Sequence, residues 1–119
     1  MELTIEQALQ QGIAAHKEGR LPEAERFYRA ILQSQPAHPD ANHNLGLIAA
    51  VSVNKSEEAL PLFKAALDAN PKVEQFWLSY ADALIKGEKF KNAKQVIQQA
   101  KKQGVDGEKL RILESQLPP

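Results

Sequence analysis

Apolar and small side chains recur along the chain at the spacing of helices that bury one face. From Ile5 they fall at positions 5, 8, 9, 12 and 13, and a second run places Ala24, Phe27, Tyr28, Ile31 and Leu32 at the same offsets. Gly19 ends the first run, as glycine does where the chain must leave helical dihedrals. Pro22 suits a first helical turn, where its missing N–H is no loss. Pro36 and Pro39 end the second run, because the residue before a proline avoids the helical region. The pattern then returns as Ala41, Leu45 and Ile48 followed by Ala59, Leu62, Phe63, Ala66 and Leu67, and again as Trp77, Tyr80, Ala81 and Leu84 followed by Ala93, Val96, Ile97 and Ala100.

The three units are in register at a spacing of 34 to 35 residues: Gly12, Gly46 and Ala81; Ala24, Ala59 and Ala93; Tyr28, Phe63 and Ile97; Pro36 and Pro71. A repeat of this length, small where helices cross and closed by a proline, predicts a solenoid of helix-turn-helix units. The second unit is one residue longer between its small residue and its alanine. The excess is assigned to the turn Val51-Ser52-Val53-Asn54-Lys55, which leaves both helical faces intact, and Ser56 is expected to cap the helix that follows. Pro61, one turn in, removes a hydrogen bond without overturning that helix. Gly87 separates the helices of the third unit and Gly104 closes it. Leu110, Leu113 and Leu117 then line one side of a short last helix, the wet-faced lid that a stack of repeats requires. The expected fold is all-α: a right-handed α-solenoid forming one domain over residues 1–119, with repeats at about 5–38, 39–73 and 74–107 and a capping helix at about 108–117.

Composition narrows the function. Fifteen basic residues balance fifteen acidic ones among 119, so the basic excess that nucleic acid demands is missing. With no cysteine, disulfides and thiolate metal sites are excluded. No apolar run approaches the ~20 residues of a membrane span, and the start, Met-Glu-Leu-Thr-Ile-Glu, is unlike a signal peptide. The expectation is a cytoplasmic protein with no nucleic-acid or membrane partner. Charge is uneven, however: residues 86–119 hold eight basic and four acidic residues. Lys91, Lys94, Lys101 and Lys102 share a helical face there, read as a solvated outer face.

These positions resemble the tetratricopeptide repeat (TPR) family over the whole chain. The second unit supplies Leu45-Gly46, Ala59, Phe63, Ala66 and Pro71; the third Trp77, Tyr80-Ala81, Ala93 and Ala100, with Val105 where the proline would stand; the first Gly12, Ala24, Tyr28 and Pro36, with Ala8 in the tryptophan slot. The phrase His16-Lys17-Glu18-Gly19-Arg20-Leu21 and the stretch His38 to Gly46 are similar to bacterial arrays that precede a glycosyl-, sulfo- or methyltransferase domain. The resemblance implies a concave groove lined by the first helix of each repeat. By register that groove holds Leu9, Ile13, His16 and Lys17; His43, Asn44, Leu47 and Val51; Leu78, Asp82, Ile85 and Lys86. Asn44 matches an asparagine that related arrays use to hold a peptide backbone, a task suited to an amide that both donates and accepts. The lysine, asparagine and arginine positions of the family's chaperone-tail clamp read Leu9, Ile13, Gln75 and Ser79, which rules that mode out.

Candidate chemistry is sparse. His16, His38 and His43 lack metal-ligand spacing, and no phosphate loop, nucleophile elbow or carboxylate pair is visible. No catalytic residue, metal or cofactor is assigned. The chain reads as a protein- or peptide-binding scaffold. The alternatives are a partner-recruiting segment of a larger transferase and a self-association element. The latter follows from a first helix that lacks a preceding neighbour over Ile5, Ala8 and Gly12, and the expected state is a monomer or weak homodimer.

Overall fold

The computed structural model describes residues 2–119; Met1, at the head of the stretch read as unlike a signal peptide, lies outside them. Seven helices follow in order: α1 (Ile5–Lys17), α2 (Leu21–Ser34), α3 (Pro39–Val51), α4 (Ser56–Ala69), α5 (Glu74–Lys86), α6 (Phe90–Lys102) and α7 (Glu108–Ser115), with no strand among the described residues. They pack as the pairs α1·α2, α3·α4 and α5·α6, and α2·α3 and α4·α5 join one pair to the next. The result is an α-solenoid 53 Å long and 21 Å thick.

Close approach within a pair is set by size matching at one repeated position. A Cβ placed on Gly12 would lie 2.7 Å from Tyr28 Cε1, and one on Gly46 would lie 2.6 Å from Phe63 Cε1. Both rings are fully buried and have no room to retreat. In the third pair the small residue is Ala81 and its counterpart is the smaller Ile97, so a methyl group is admitted where the ring is gone. Alanines at 24, 59 and 93 are completely buried on the second helices.

The turns repeat as well. Gly19, Asn54 and Glu88 occupy one register position, and all three have positive φ, 78°, 68° and 59°. The left-handed residue of the third turn is thus Glu88; Gly87, the expected breaker, caps α5 at φ −83°. Two other local expectations are corrected. Ser56 is the first residue of α4 behind Lys55, without a side-chain cap, and Pro39 opens α3 instead of merely ending α2. Proline is at ease there because a first-turn N–H has no partner to lose. His38 caps α3, its Nδ1 accepting from the Ala41 N–H at 3.1 Å.

Two register-equivalent side chains fasten successive pairs. Asn42 donates from Nδ2 to the Pro36 carbonyl at 3.0 Å, and Trp77 donates from Nε1 to the Pro71 carbonyl at 2.7 Å. An amide and an indole therefore satisfy the same carbonyl at the proline that closes each preceding unit.

Ala8 and Gly12 are not bare at the start of the stack. Ala8 packs with Ile31 of α2 and Ala41 of α3, and Gly12 meets Tyr28. Of the face invoked for self-association, Ala8 and Gly12 are thereby buried within the chain, and Ile5 is half-buried. At the other end, Leu110 of α7 is fully buried in one cluster with Val96, Ile97 and Ala100, and Leu113 and Leu117 pack against it. Lys101 turns from the outer face of α6 to bridge Glu114 of α7 at 2.9 Å.

Adding a methyl group at position 46 tests the size matching. Gly46→Ala gains about 1 kcal/mol of helix propensity but overpacks against Phe63, at a cost of about 1–3 kcal/mol. A lower melting temperature is expected, with recovery in the double variant Gly46→Ala, Phe63→Ile; a melting temperature raised by the single change would contradict the fit. Removing residues 108–119 should uncover the apolar face around Val96, Ile97 and Ala100, lowering the melting point and promoting association in sedimentation. A monomeric truncate with unchanged melting would count against a capping role.

Candidate functional site

The inner side chains of α1, α3 and α5 fall into two arrangements, one polar and one largely apolar. The polar one is a set of links centred on buried His43 and Ser79 and running out to exposed Gln75 and half-buried Asn44. Gln75 donates from Nε2 to Ser79 Oγ at 3.1 Å, and Ser79 lies 2.8 Å from His43 Nε2. His43 Nδ1 is 3.4 Å from Asn44 Oδ1. On the first pair a separate link places the Tyr28 hydroxyl 3.3 Å from His16 Nδ1. One proton arrangement satisfies the central links: the Ser79 hydroxyl donates to Nε2, and Nδ1–H donates to Asn44. His43 is only 6% exposed. Its ring lies 4.9 Å from that of Phe76 and 5.7 Å from that of Phe63, centroid to centroid.

Such surroundings disfavour charge. Burial lowers the pKa of His43 below the ordinary 6.5, against the opposing pull of the Asn44 hydrogen bond and the Asp40 charge, and burial lowers that of His16 as well. The pKa of Tyr28 is raised by burial, and the nearby Asn44 amide partly offsets this.

The largely apolar arrangement is a cleft of about 460 Å³ along α5. Leu47 and Ala50 of α3, Leu60 and Phe63 of α4, Leu78 and Ala83 of α5, and Leu113 of α7 form its apolar lining. Val51, 73% exposed, stands at its edge, and Gln75, Ser79 and Asp82 supply polar positions along α5. Around the rim, Lys86 bridges Asp82 at 2.9 Å and Lys89 faces Glu57 at 3.7 Å.

Of the groove residues expected from register, Leu47, Val51, Leu78, Asp82 and Lys86 meet in this cleft. Leu9, Ile13, His16 and Lys17 lie on α1 outside it, the first three half-buried and Lys17 exposed. His43 and Asn44 belong to the polar links, His43 buried and Asn44 half-buried with its Oδ1 3.4 Å from His43 Nδ1. The expected apolar strip is therefore not evenly open. Leu78 is 6% and Ile85 8% exposed, because both join the cluster that α7 completes through Leu110. Register does not point to Leu60, Lys109 and Leu113, which also line the cleft, because it places only first helices in the groove. The apolar stripe of α7 was itself a signal, read only as a lid.

Among the described residues no three His, Asp or Glu side chains converge as metal ligands do, and no helix is long and apolar enough to cross a membrane.

Comparisons with known proteins agree with this architecture. Two tetratricopeptide repeat family models match, one over residues 50–117 and one over residues 9–54. Among solved structures, MamA MSR-1 is 26% identical, with a TM-score of 0.71 over 87% of this chain; the match spans only 57% of the MamA chain. The Sgt2 TPR domain from Aspergillus fumigatus, 19% identical, gives 0.79 over 94% of this chain and 76% of its own. The TPR2B domain of yeast Sti1, solved as a complex with pHsp70 and 16% identical, gives 0.79 over 95% and 92%. The last two likenesses are of fold alone. No curated protein sequence matches the chain.

The buried imidazoles make stability depend on pH. The folded chain holds His43 and His16 neutral, whereas the unfolded chain binds their protons near 6.5. Stability is thus fully present above that value and is lost as pH falls below it. Melting temperatures measured from pH 7.5 to pH 5.5 should decline, and His43→Gln should flatten part of the decline. A wild-type melting point that holds or rises on acidification would refute the assignment.

Proposed function

The chain belongs to the tetratricopeptide repeat family, and from that membership we propose that it binds a protein or peptide segment in the cleft along α5, without catalysis of its own. A protein-interaction scaffold is the general reading that the repeats support. The observation that carries the specific one is the cleft: apolar side chains from four helices line one open space of about 460 Å³, and the exposed Val53 and Ile112 lie outside it. Contiguous accessible apolar area of this kind marks an interaction surface.

The occupant is an apolar-anchored segment and not an acidic chaperone tail. The places where a cationic clamp would stand carry Leu9, Ile13, Gln75 and Ser79, and without charge-assisted donors a tail forfeits about 1.5–3 kcal/mol per bond. Affinity of micromolar order fits a short cleft, because ordering a flexible segment offsets much of the contact energy. Several polar groups at the cleft are engaged with one another, Asp82 with Lys86 and Ser79 with His43 and Gln75. That arrangement favours holding a ligand over transforming it.

The test places a charge on the cleft wall. Leu47→Glu should leave the melting point within a few degrees yet lower capture of cross-linked partners by tenfold or more. Lys94→Glu, on the exposed face of α6, should leave capture intact. Equal capture by both variants would move the binding surface away from the cleft.

A further inference from the structure

We infer that α7 is a wall of the binding site as well as a lid, and that the cleft selects an amphipathic helix carrying a carboxylate beside one of its apolar anchors. The inference rests on the cleft being the binding site and adds the partner's conformation and charge.

Conformation follows from the walls. The cleft runs beside α5 from Gln75 to Gly87, and helices α3, α4 and α7 make up the remaining sides. The backbone groups of a helix interior are bonded within the helix, so these walls offer an incoming chain no ladder of carbonyls and N–H groups. An extended segment would lie on this apolar lining with its own backbone desolvated and unpaired, apart from the side chains of Gln75 and Ser79. A helical segment brings its backbone bonds with it and presents anchors at i, i+3/i+4 and i+7. The α5 stretch is about 17 Å long at 1.5 Å per residue, room for about three turns.

Charge follows from the rim, where three lysines face two carboxylates. Lys86 and Lys89 already have Asp82 and Glu57 within 4 Å, whereas Lys109 has no carboxylate within that distance among the described residues. Lys109 lies one turn before Leu113, so the two share a face of α7, and both line the cleft. A partner anchor resting on Leu113 therefore brings its neighbouring side chain to an unpaired ammonium group. Complementarity there calls for Asp or Glu.

Three matched 16-residue helical peptides test this by fluorescence anisotropy on the full chain: one with leucine anchors flanked by glutamates, one with lysines replacing the glutamates, and one with serines replacing the leucines. The first should bind at least tenfold tighter than the second, and the third should not bind. Lys109→Glu, a change at an exposed side chain, should reverse the order of the first two. Binding that Leu47→Glu abolishes but whose charge preference survives Lys109→Glu would overturn the role of α7 and leave the cleft standing. Binding indifferent to both variants would overturn both readings. Failure of all three peptides, or a dimer that Leu47→Glu disperses in sedimentation, would overturn the inference, the latter by giving the cleft to a second copy.

Discussion

Everything in this molecule depends on how closely the two helices of a pair can approach. At Gly12 and Gly46 the first helix has no side chain, and an aromatic ring of the second helix occupies the vacated space within 3 Å of where a Cβ would be. The third pair divides the volume differently, alanine against isoleucine. Interiors this dense tolerate a trade between neighbours more readily than a net gain or loss of volume. Alanines 24, 59 and 93 on the second helices are fully buried alongside this fit.

Stacking then relies on polar groups that are all accounted for. Asn42 and Trp77 hold the proline carbonyls of the preceding unit, and His43 ties α3 to Ser79 of α5. No buried side-chain nitrogen or oxygen among the described residues is left without a partner. In a low-dielectric interior that completeness matters more than the strength of any one bond, since an orphaned group costs more than a formed bond gains. At the centre of the inner surface the His43–Ser79 pair is buried by this completeness, and the cleft along α5 opens beside it.

The repeat length, the helix faces and the family were legible because each rests on spacing, and spacing survives changes of residue type. The turn positions were harder. Gly19, Asn54 and Glu88 share one backbone conformation, yet only glycine advertises it, so Gly87 drew the expectation that belonged to its neighbour. His43 was misplaced for a related reason. Its register partners are Leu9 and Leu78, an apolar position, and a polar residue there is a sign of an internal bond as readily as of a site. Lys109 and Leu113 escaped because a helix beyond the last repeat has no register partner with which to be compared. Spacing located the helices; which side chains remain reachable was decided by packing between units.

The size matching within each pair also says where the chain can be cut and rejoined over evolutionary time. An exchange or duplication of a whole pair carries both halves of the fit, ring and glycine together. A crossover falling between the two helices of a pair parts them: the second helix of one unit delivered to the first of another would set Phe63 against the methyl group of Ala81. The heritable unit of this solenoid is therefore the pair, and its boundaries lie at the prolines between units.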